Sequence, residues 1–518
     1  MPPAPRDQTS RDTALVNAGI VLSRVVGLVR QRVLAHYLGT SAAADAVLAA
    51  FRIGNVTQNL LGEGALSASF VPVYLRLRIE GQGAHARFAR ATLGWLFLLV
   101  ALISVLGALF APTLAMLIAP GFDGARFELT TRALRVLFPM TGVLVLGAWS
   151  LAILSAHRRF LLGYMAPVAW SVAQIVAVLV AGIGLHKRGS DIAIVVAWGA
   201  LGGAITQLLV MVVPVRKLIG GLRPTFEIGA PGVREAMSKF PSAVFGRGVI
   251  LISGLLDTVL VSFLGPGAIS SFAYAQTIYL LPMAVLGPGE AAVSLVDFSE
   301  KRATLGQDEA KQAIIASLAR TLSRVFALAL AATVAFVTLG PEIVAMLFQG
   351  GKFDADSTQA VAIVLAAYGP GLPANAASRL FGTACFALGD TRRPALFAAV
   401  RVVTSTCVSL VLMRHLGVAG VVIGAAFAAW VELSLLVYTV KKELGATGLM
   451  VVRYTPMIVS AIALGAVGLG TRYALARLGV PTLIAAISVV GLAGVAFLFV
   501  ADRTGALSVR SLLSRRRS

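Results

Sequence analysis

The chain has 518 residues, of which 58% are hydrophobic and only 13% are charged, with a formal net charge of +21. Soluble proteins carry about 25% charged residues and about 45–50% apolar ones, so this composition excludes a soluble, disordered or collagen-like protein. Apolar runs such as 93–119, 192–215 and 480–500 are long enough to cross a bilayer as helices. A membrane barrel needs strands of about ten alternating residues instead. The sequence therefore predicts an all-α integral membrane protein.

Taken in chain order, the apolar segments predict about 14 transmembrane helices. They fall near residues 13–37, 45–75, 90–118, 132–156, 162–185, 191–214, 241–264, 270–296, 318–340, 359–388, 394–413, 418–440, 455–474 and 480–501. Arginine and lysine concentrate in alternate loops, as the positive-inside rule expects when both termini are cytoplasmic. Because loop residues account for most of the positive charge, no nucleic-acid partner is expected.

Two pairs of similar segments indicate an internal repeat. Residues 34–39 close the first helix much as 260–265 close the seventh, and the turn 154–159 matches the turn 388–393. The repeat predicts two pseudo-symmetric six-helix lobes with the substrate between them near mid-membrane. The predicted organisation is a cytoplasmic N-terminal segment (1–12), an N-lobe (13–214), a cytoplasmic linker (215–240), a C-lobe (241–440), two C-terminal helices (441–502) and a basic cytoplasmic tail (503–518).

Ionisable residues inside the predicted spans are the candidate functional residues, because a charge costs at least a few kcal/mol in hydrocarbon. The first two helices contain Arg24, Arg30, Asp45, Arg52 and Glu63, and later helices add Arg247, Asp257, Glu290, Arg379 and Arg401. The excess of arginine predicts an anionic guest, since a guanidinium donates two parallel hydrogen bonds to a phosphate and keeps its proton. Gly62 and Gly64 flank Glu63 and predict a bending point there.

Several motifs resemble the MurJ/MviN family, the lipid II flippases of the MOP exporter superfamily. They are Ser23-Arg24 with Gly27 and Arg30, Ala44-Asp45-Ala46, Gly62-Glu63-Gly64-Ala65, Gly351-Lys352-Phe353, and Gly389-Asp390-Thr391-Arg392-Arg393-Pro394. The resemblance implies two lobes around a cationic cavity. It also implies transport of an undecaprenyl-pyrophosphate-linked disaccharide-pentapeptide to the outer leaflet of the bacterial inner membrane, for peptidoglycan synthesis. The last two helices would form a groove for the lipid tail.

The chain departs from the family pattern at three places. It has Gln58-Asn59 where the family commonly has a basic pair, and Gln276-Thr277 where the family commonly has Asp-Arg. Ser405 and Ser409 replace an asparagine-like pair, which weakens a sodium site shared with Asp257. We hypothesise that Arg247 replaces the arginine absent at Thr277.

The expected mechanism is alternating access. Arg24, Arg30 and Arg52 would bind the pyrophosphate and Arg247 or Arg379 would close on it, while Asp45 and Glu63 would pair with these arginines in the empty state. No catalytic residue, metal site or cofactor is expected, and a sodium gradient or the membrane potential would drive transport. The expected partners are lipid II or a similar polyprenyl-pyrophosphate glycolipid, membrane lipids and the cell-wall synthesis machinery.

Four alternatives stay open at this point. The chain could transport another polyprenyl-linked glycan or export a cationic drug, although deep arginines disfavour a cationic cargo. It could also be a membrane enzyme acting on polyprenyl phosphates, for which the loop carboxylates show no metal-binding pattern. The last alternative is a divergent paralogue that no longer transports and acts as a scaffold.

Overall fold

The computed structural model describes residues 6–66, 69–81, 83–286, 294, 297–301, 304, 306–445, 452 and 454–507. All regular elements over these residues are helical. The chain packs into two compact units, Met1–Ser270 with Gly350–Phe353, and Ser271–Gln349 with Asp354–Ser518. The lobe boundaries predicted from the internal repeat rest on a different criterion and stay a prediction.

The first unit contains nine α-helices and two π-helical segments over its described residues. These are α1 (Arg6–Leu38), α2 (Ala42–Gln58), a π-helix (Asn59–Leu66), α3 (Val71–Glu80), α4 (Ala84–Leu109), α5 (Ala111–Ile118), α6 (Gly124–Ala156), α7 (Phe160–Leu179), a π-helix (Val180–Gly184), α8 (Ser190–Leu218) and α9 (Val233–Ser262). The next helix, α10 (Ala268–Leu286), begins in this unit and continues in the second.

The second unit contains the remaining described helices. These are α11 (Gln307–Thr338), α12 (Gly340–Phe348), α13 (Ala355–Tyr368), α14 (Gly371–Ala387), α15 (Arg392–Leu444), α16 (Tyr454–Arg477) and α17 (Thr482–Thr504).

Helices occupy the described part of each predicted span, but several spans are interrupted. The helix predicted over 359–388 is the pair α13 and α14, bent by 42° at the break. The two helices predicted over 394–413 and 418–440 form α15, in which Gly417 has the non-helical angles φ 55° and ψ −134°. Within the described ranges, eight helices are long and apolar enough to cross a membrane, or nine if the bent pair is one span. The total of about 14 remains a prediction.

The core of the first unit forms around α6. In the most apolar 18-residue stretch of α6, 72% of the residues are buried, whereas in the corresponding stretch of α4 only 22% are buried. The side chains of Leu134, Leu137 and Trp149 are fully buried, whereas α4 leaves Phe97 and Leu98 more than half exposed. In an integral membrane protein such an exposed apolar face contacts lipid, so α4 is peripheral and α6 central.

Two glycines allow the segment 350–353 to pack on the end of α1. The amide of Lys352 donates to the carbonyl oxygen of His36 at 2.8 Å. Gly39 and Gly351 both have positive φ, and a Cβ at Gly39 would lie 2.4 Å from the carbonyl oxygen of Lys352. Any larger residue would therefore be strained and would also clash. This contact gives the Gly351-Lys352-Phe353 motif a packing role.

A hydrogen bond joins α3 to the end of α6. The Tyr74 hydroxyl lies 2.9 Å from Nε2 of His157, and the Arg78 guanidinium donates to the carbonyl oxygen of Ala156 at 2.6 Å. Burial, reinforced by the positive charge of Arg78, lowers the pKa of His157 to about 4. The imidazole is therefore neutral at pH 7 in the folded protein.

We expect this histidine to make stability decrease at acidic pH. Its pKa is about 6.5 in an unfolded chain, so the folded state binds fewer protons between about pH 6.5 and pH 4, and its stability falls as the pH falls through that window. His157→Gln retains a hydrogen-bond acceptor but does not titrate. Between pH 7 and pH 4.5 the thermal midpoint of the wild type in detergent should fall by more than that of the variant. Equal decreases would show that His157 does not contribute.

Candidate functional site

Arg52 is held by the backbone of α9. Its Nε and Nη2 donate to the carbonyl oxygen of Gly254, at 3.3 Å and 3.1 Å. A Cβ at position 254 would lie 3.0 Å from Nη2 of Arg52, so a glycine permits this close approach. The acceptor is a neutral carbonyl, and it fixes the orientation of the guanidinium. Asp257 follows on the same helix and is half-buried.

Asp45 is fully buried and binds the beginning of α10. One carboxylate oxygen accepts a hydrogen bond from the amide of Gly267 at 2.7 Å. The other accepts from the amide and the hydroxyl of Ser270, both at 2.7 Å. Free amides and the positive end of the helix dipole make a helix N-terminus a favourable site for a carboxylate. The sequence predicted pairing with the arginines, whereas the structure places Asp45 on these three donors.

The two predicted site arginines of α1, Arg24 and Arg30, have different surroundings. The guanidinium of Arg30 lies over the ring of Trp170, 4.3 Å from its centroid, and the Trp170 indole donates to the carbonyl oxygen of Ala200 at 2.9 Å. The Nε and Nη1 atoms of Arg30 are buried and have no hydrogen-bond partner among the described residues. Arg24 is exposed. Arg30 is therefore a half-buried cation with two donors that no described residue satisfies.

Two predicted site residues have side chains outside the described part of the structure. They are Glu63, within the π-helix Asn59–Leu66, and Arg247, within α9. The backbone around Glu63 has the wider π-helical winding where the sequence predicted a bending point. Such segments are frequent at functional sites because they displace side chains from the regular helical position. Glu290 also lies outside the described residues.

The second unit places its two predicted arginines differently. Arg401 donates to the carboxylate of Glu432 at 2.9 Å and to the side-chain oxygen of Asn375 at 2.7 Å. Arg379 is exposed on α14, a helix that is otherwise almost entirely buried. Arg401 is thus neutralised within the unit, whereas Arg379 is accessible.

The predicted ion-coupling residues are divided between the units. Asp257 belongs to the first unit, and Ser405 and Ser409 belong to the second, where both are buried on α15. The hydroxyl of Ser409 donates to the carbonyl oxygen of Val421 at 3.0 Å. A sodium site formed by these three residues stays a prediction.

Sequence reasoning missed the partners of the charged residues. Trp170, Gly254 and Asn375 are uncharged, so a search for ionisable residues in apolar segments did not select them. Glu432 did carry that signal, since it lies in an apolar stretch. The Gly369-Pro370-Gly371 sequence before Asn375 also pointed to a broken helix, which in transporters often marks a binding site.

Comparison with known proteins adds independent findings. Residues 34–490 match the family model described as lipid II flippase MurJ. A protein of Rhizobium meliloti (strain 1021), named probable lipid II flippase MurJ, is 32% identical over 437 residues, which cover 82% of this chain and 79% of that protein. The lipid II flippase MurJ of Burkholderia cenocepacia is 29% identical over 435 residues, covering 83% of each chain.

Solved structures show the same fold. A lipid II flippase MurJ in an inward closed conformation has a TM-score of 0.78 and 19% identity, and the match covers 96% of this chain and 99% of that one. An inward-facing multidrug resistance MATE family transporter of the MOP superfamily has a TM-score of 0.67 and 16% identity, covering 83% of this chain and 98% of the other.

We expect Asp45→Asn to destabilise the protein by about 1–3 kcal/mol, because an amide supplies one acceptor atom and brings its own donors towards buried N–H groups. The measurement is the thermal midpoint in detergent. Asp354→Asn is the matched control, since Asp354 also caps a helix, by accepting from the amide of Ser357 at 2.8 Å, but is exposed. Asparagine is a good N-cap at such a position. Similar effects of both substitutions would contradict the role inferred for Asp45.

Proposed function

The chain belongs to the family of lipid II flippases named MurJ, and we propose that it translocates lipid II from the inner to the outer leaflet of the bacterial cytoplasmic membrane. Lipid II is an undecaprenyl-pyrophosphate-linked disaccharide-pentapeptide. The observation that carries the proposal is the family match over residues 34–490. The relatives that share most of the length of this chain are named for this cargo, which favours it over another polyprenyl-linked glycan.

The arginines of the first unit would bind the pyrophosphate. Arg30 has two buried donors without a hydrogen-bond partner among the described residues, and a pyrophosphate oxygen would satisfy them. The ring of Trp170 holds the plane of the guanidinium, so little entropy is lost when the anion binds. Arg24 is exposed and Arg52 is held by the carbonyl of Gly254, and both would add charge-assisted hydrogen bonds.

Asp45 has a different role in this proposal from the one expected of a displaceable counter-ion. Its two carboxylate oxygens accept three hydrogen bonds from Gly267 and Ser270, so an incoming anion does not have to displace it from an arginine. Asp45 would therefore hold the start of α10 in both the empty and the loaded protein. Arg247 and Arg379 remain the proposed second set of cations.

Alternating access would carry the headgroup across the membrane, powered by an ion gradient or by the membrane potential. Moving one elementary charge across a membrane potential of 100 mV changes its free energy by about 2.3 kcal/mol. A charged cavity that moves across the membrane is therefore coupled to the potential. A sodium gradient, acting through an ion bound by Asp257, Ser405 and Ser409, would be the second source of energy for transport. The chain would act as a transporter without catalytic residues, with both termini in the cytoplasm, and would supply precursor to the cell-wall synthesis machinery.

Complementation tests the function. We expect the wild-type chain to restore growth to a bacterium depleted of its lipid II flippase, and Arg24→Ala and Arg30→Ala to reduce lipid II translocation at least about tenfold, because each removes charge-assisted hydrogen bonds worth about 1.5–3 kcal/mol. The measurement is growth together with the fraction of lipid II in the outer leaflet.

Arg132→Ala is the matched control, because Arg132 is exposed and its one ion-pair partner in the described part of the chain is Glu128, on its own helix. It should behave as the wild type. A well-expressed, membrane-inserted wild type that fails to restore growth would contradict the proposed cargo. Full activity of Arg30→Ala would remove Arg30 from the binding site while leaving the function intact.

A further inference from the structure

The second unit contains a polar network at the break between α13 and α14. Three consecutive carbonyl groups there accept hydrogen bonds from side chains. The donors are the Thr333 hydroxyl to Gly369 at 2.8 Å, the Trp430 indole to Pro370 at 2.9 Å, and the Asn375 amide to Gly371 at 2.8 Å. Broken helices persist at membrane depth only where protein or water satisfies their backbone groups. This break is therefore a supported feature of the fold.

Asn375 connects the break to a charged pair. Because its amide nitrogen donates to Gly371, its oxygen is directed to the Arg401 guanidinium, 2.7 Å away. A second nitrogen of Arg401 donates to Glu432 at 2.9 Å. Arg401 is thus fixed by two partners and its charge is compensated, so it holds the break together rather than offering a free cation.

A pair of stacked tyrosines lies beside this network. Tyr368, the last residue of α13, stacks on Tyr279 of α10 with a centroid distance of 4.5 Å and an interplanar angle of 26°. Tyr368 also packs against Phe272, which lies on α10 as Tyr279 does. The ring centroids of Tyr368 and Phe272 are 6.1 Å apart. Tyr279 and Tyr368 are both half-buried, so part of the tyrosine pair is accessible. The charges of Arg401 and Arg379 both act on the hydroxyl of Tyr279.

Arg379, unlike Arg401, is an accessible cation near the break between α13 and α14. It lies one helical turn after Asn375, on the only face of α14 that is not buried. Among the residues that the structure describes, its side chain has no hydrogen-bond or ion-pair partner. An exposed guanidinium on a membrane-spanning helix faces water or a ligand and not lipid, because hydrocarbon would impose a large desolvation penalty.

We propose that Tyr279, Tyr368 and Arg379 form a subsite for the sugar that is linked directly to the pyrophosphate of the cargo. The proposal rests on the proposed function and adds the part of the substrate that this unit recognises. The electron-rich face of the tyrosine pair packs against the C–H groups of a sugar ring, and Arg379 binds the adjoining phosphate. Tyr368 ends α13 directly before the break, and Arg379 lies one helical turn beyond Asn375, which bonds the break from the other side. A ligand at the break in which a sugar is bonded to a phosphate would therefore have a ring and a cation to contact.

The binding of two lipids to two test variants and two control variants separates the contribution of the tyrosine pair from that of Arg379. Binding of lipid II and of undecaprenyl pyrophosphate, which lacks the sugars, is measured on the purified full-length protein in detergent. Tyr279→Leu should weaken lipid II binding about tenfold and leave undecaprenyl pyrophosphate binding unchanged, since a ring contact is worth up to about 1.5 kcal/mol. Arg379→Gln should weaken both. Tyr279→Phe keeps the ring and should bind as the wild type does, and the exposed Tyr438 provides the control Tyr438→Leu.

The outcomes distinguish the subsite from the function. If Tyr279→Leu weakens both lipids equally, or neither, the sugar subsite is wrong even though complementation by the wild type would still support the flippase function. If the wild type binds the two lipids with equal affinity, the sugar is not recognised and the subsite is also wrong. If the wild type binds neither lipid and does not complement, the function fails and the subsite with it.

Discussion

A charge inside a bilayer must find its partner within the protein, and this requirement governs the deep residues of the chain. Asp45 is satisfied by two amides and a hydroxyl, Arg52 contacts a backbone carbonyl, and Arg401 binds a carboxylate and an amide. Arg30 has an aromatic ring beneath it, but two of its donors remain without a hydrogen-bond partner in the described structure. The difference in hydrogen bonding, more than the presence of charge, separates Asp45 and Arg401, which have structural partners, from Arg30, a candidate ligand of an anion.

The helices themselves could be predicted well from the sequence, because the length of an apolar run is set by the thickness of the hydrocarbon. The breaks were less predictable. Gly62 and Gly64 indicated a weak point that is a π-helix in the structure, yet the Gly369-Pro370-Gly371 sequence was read as the middle of one continuous helix. A break becomes favourable only when donors from elsewhere reach its carbonyls. Those donors, Thr333 and Trp430, come from distant positions in the chain.

The candidate site follows the same pattern. The identity of the charged residues was available from the sequence, since an arginine in an apolar segment is conspicuous. Their partners were not available. Nothing in the residues around Gly254 shows that its carbonyl would accept from Arg52, because that contact joins positions 202 residues apart. Asp45 was assigned to an arginine because opposite charges attract, whereas the structure uses the amides at the start of α10. Tertiary proximity decides between equally reasonable chemical partners.

The contact of residues 350–353 with α1 also bears on how the chain could be divided. The first unit contains α9, which follows the connecting segment 219–232, and it also contains four residues from much later in the chain. A gene split in that segment would therefore give an amino-terminal fragment without α9 and without the motif that packs on His36 and Gly39. The two fragments would have to rebuild one shared core, not simply associate as two finished halves. Reassembly from such fragments would thus be a folding reaction, sensitive to the Gly39–Lys352 contact, and not only a binding reaction.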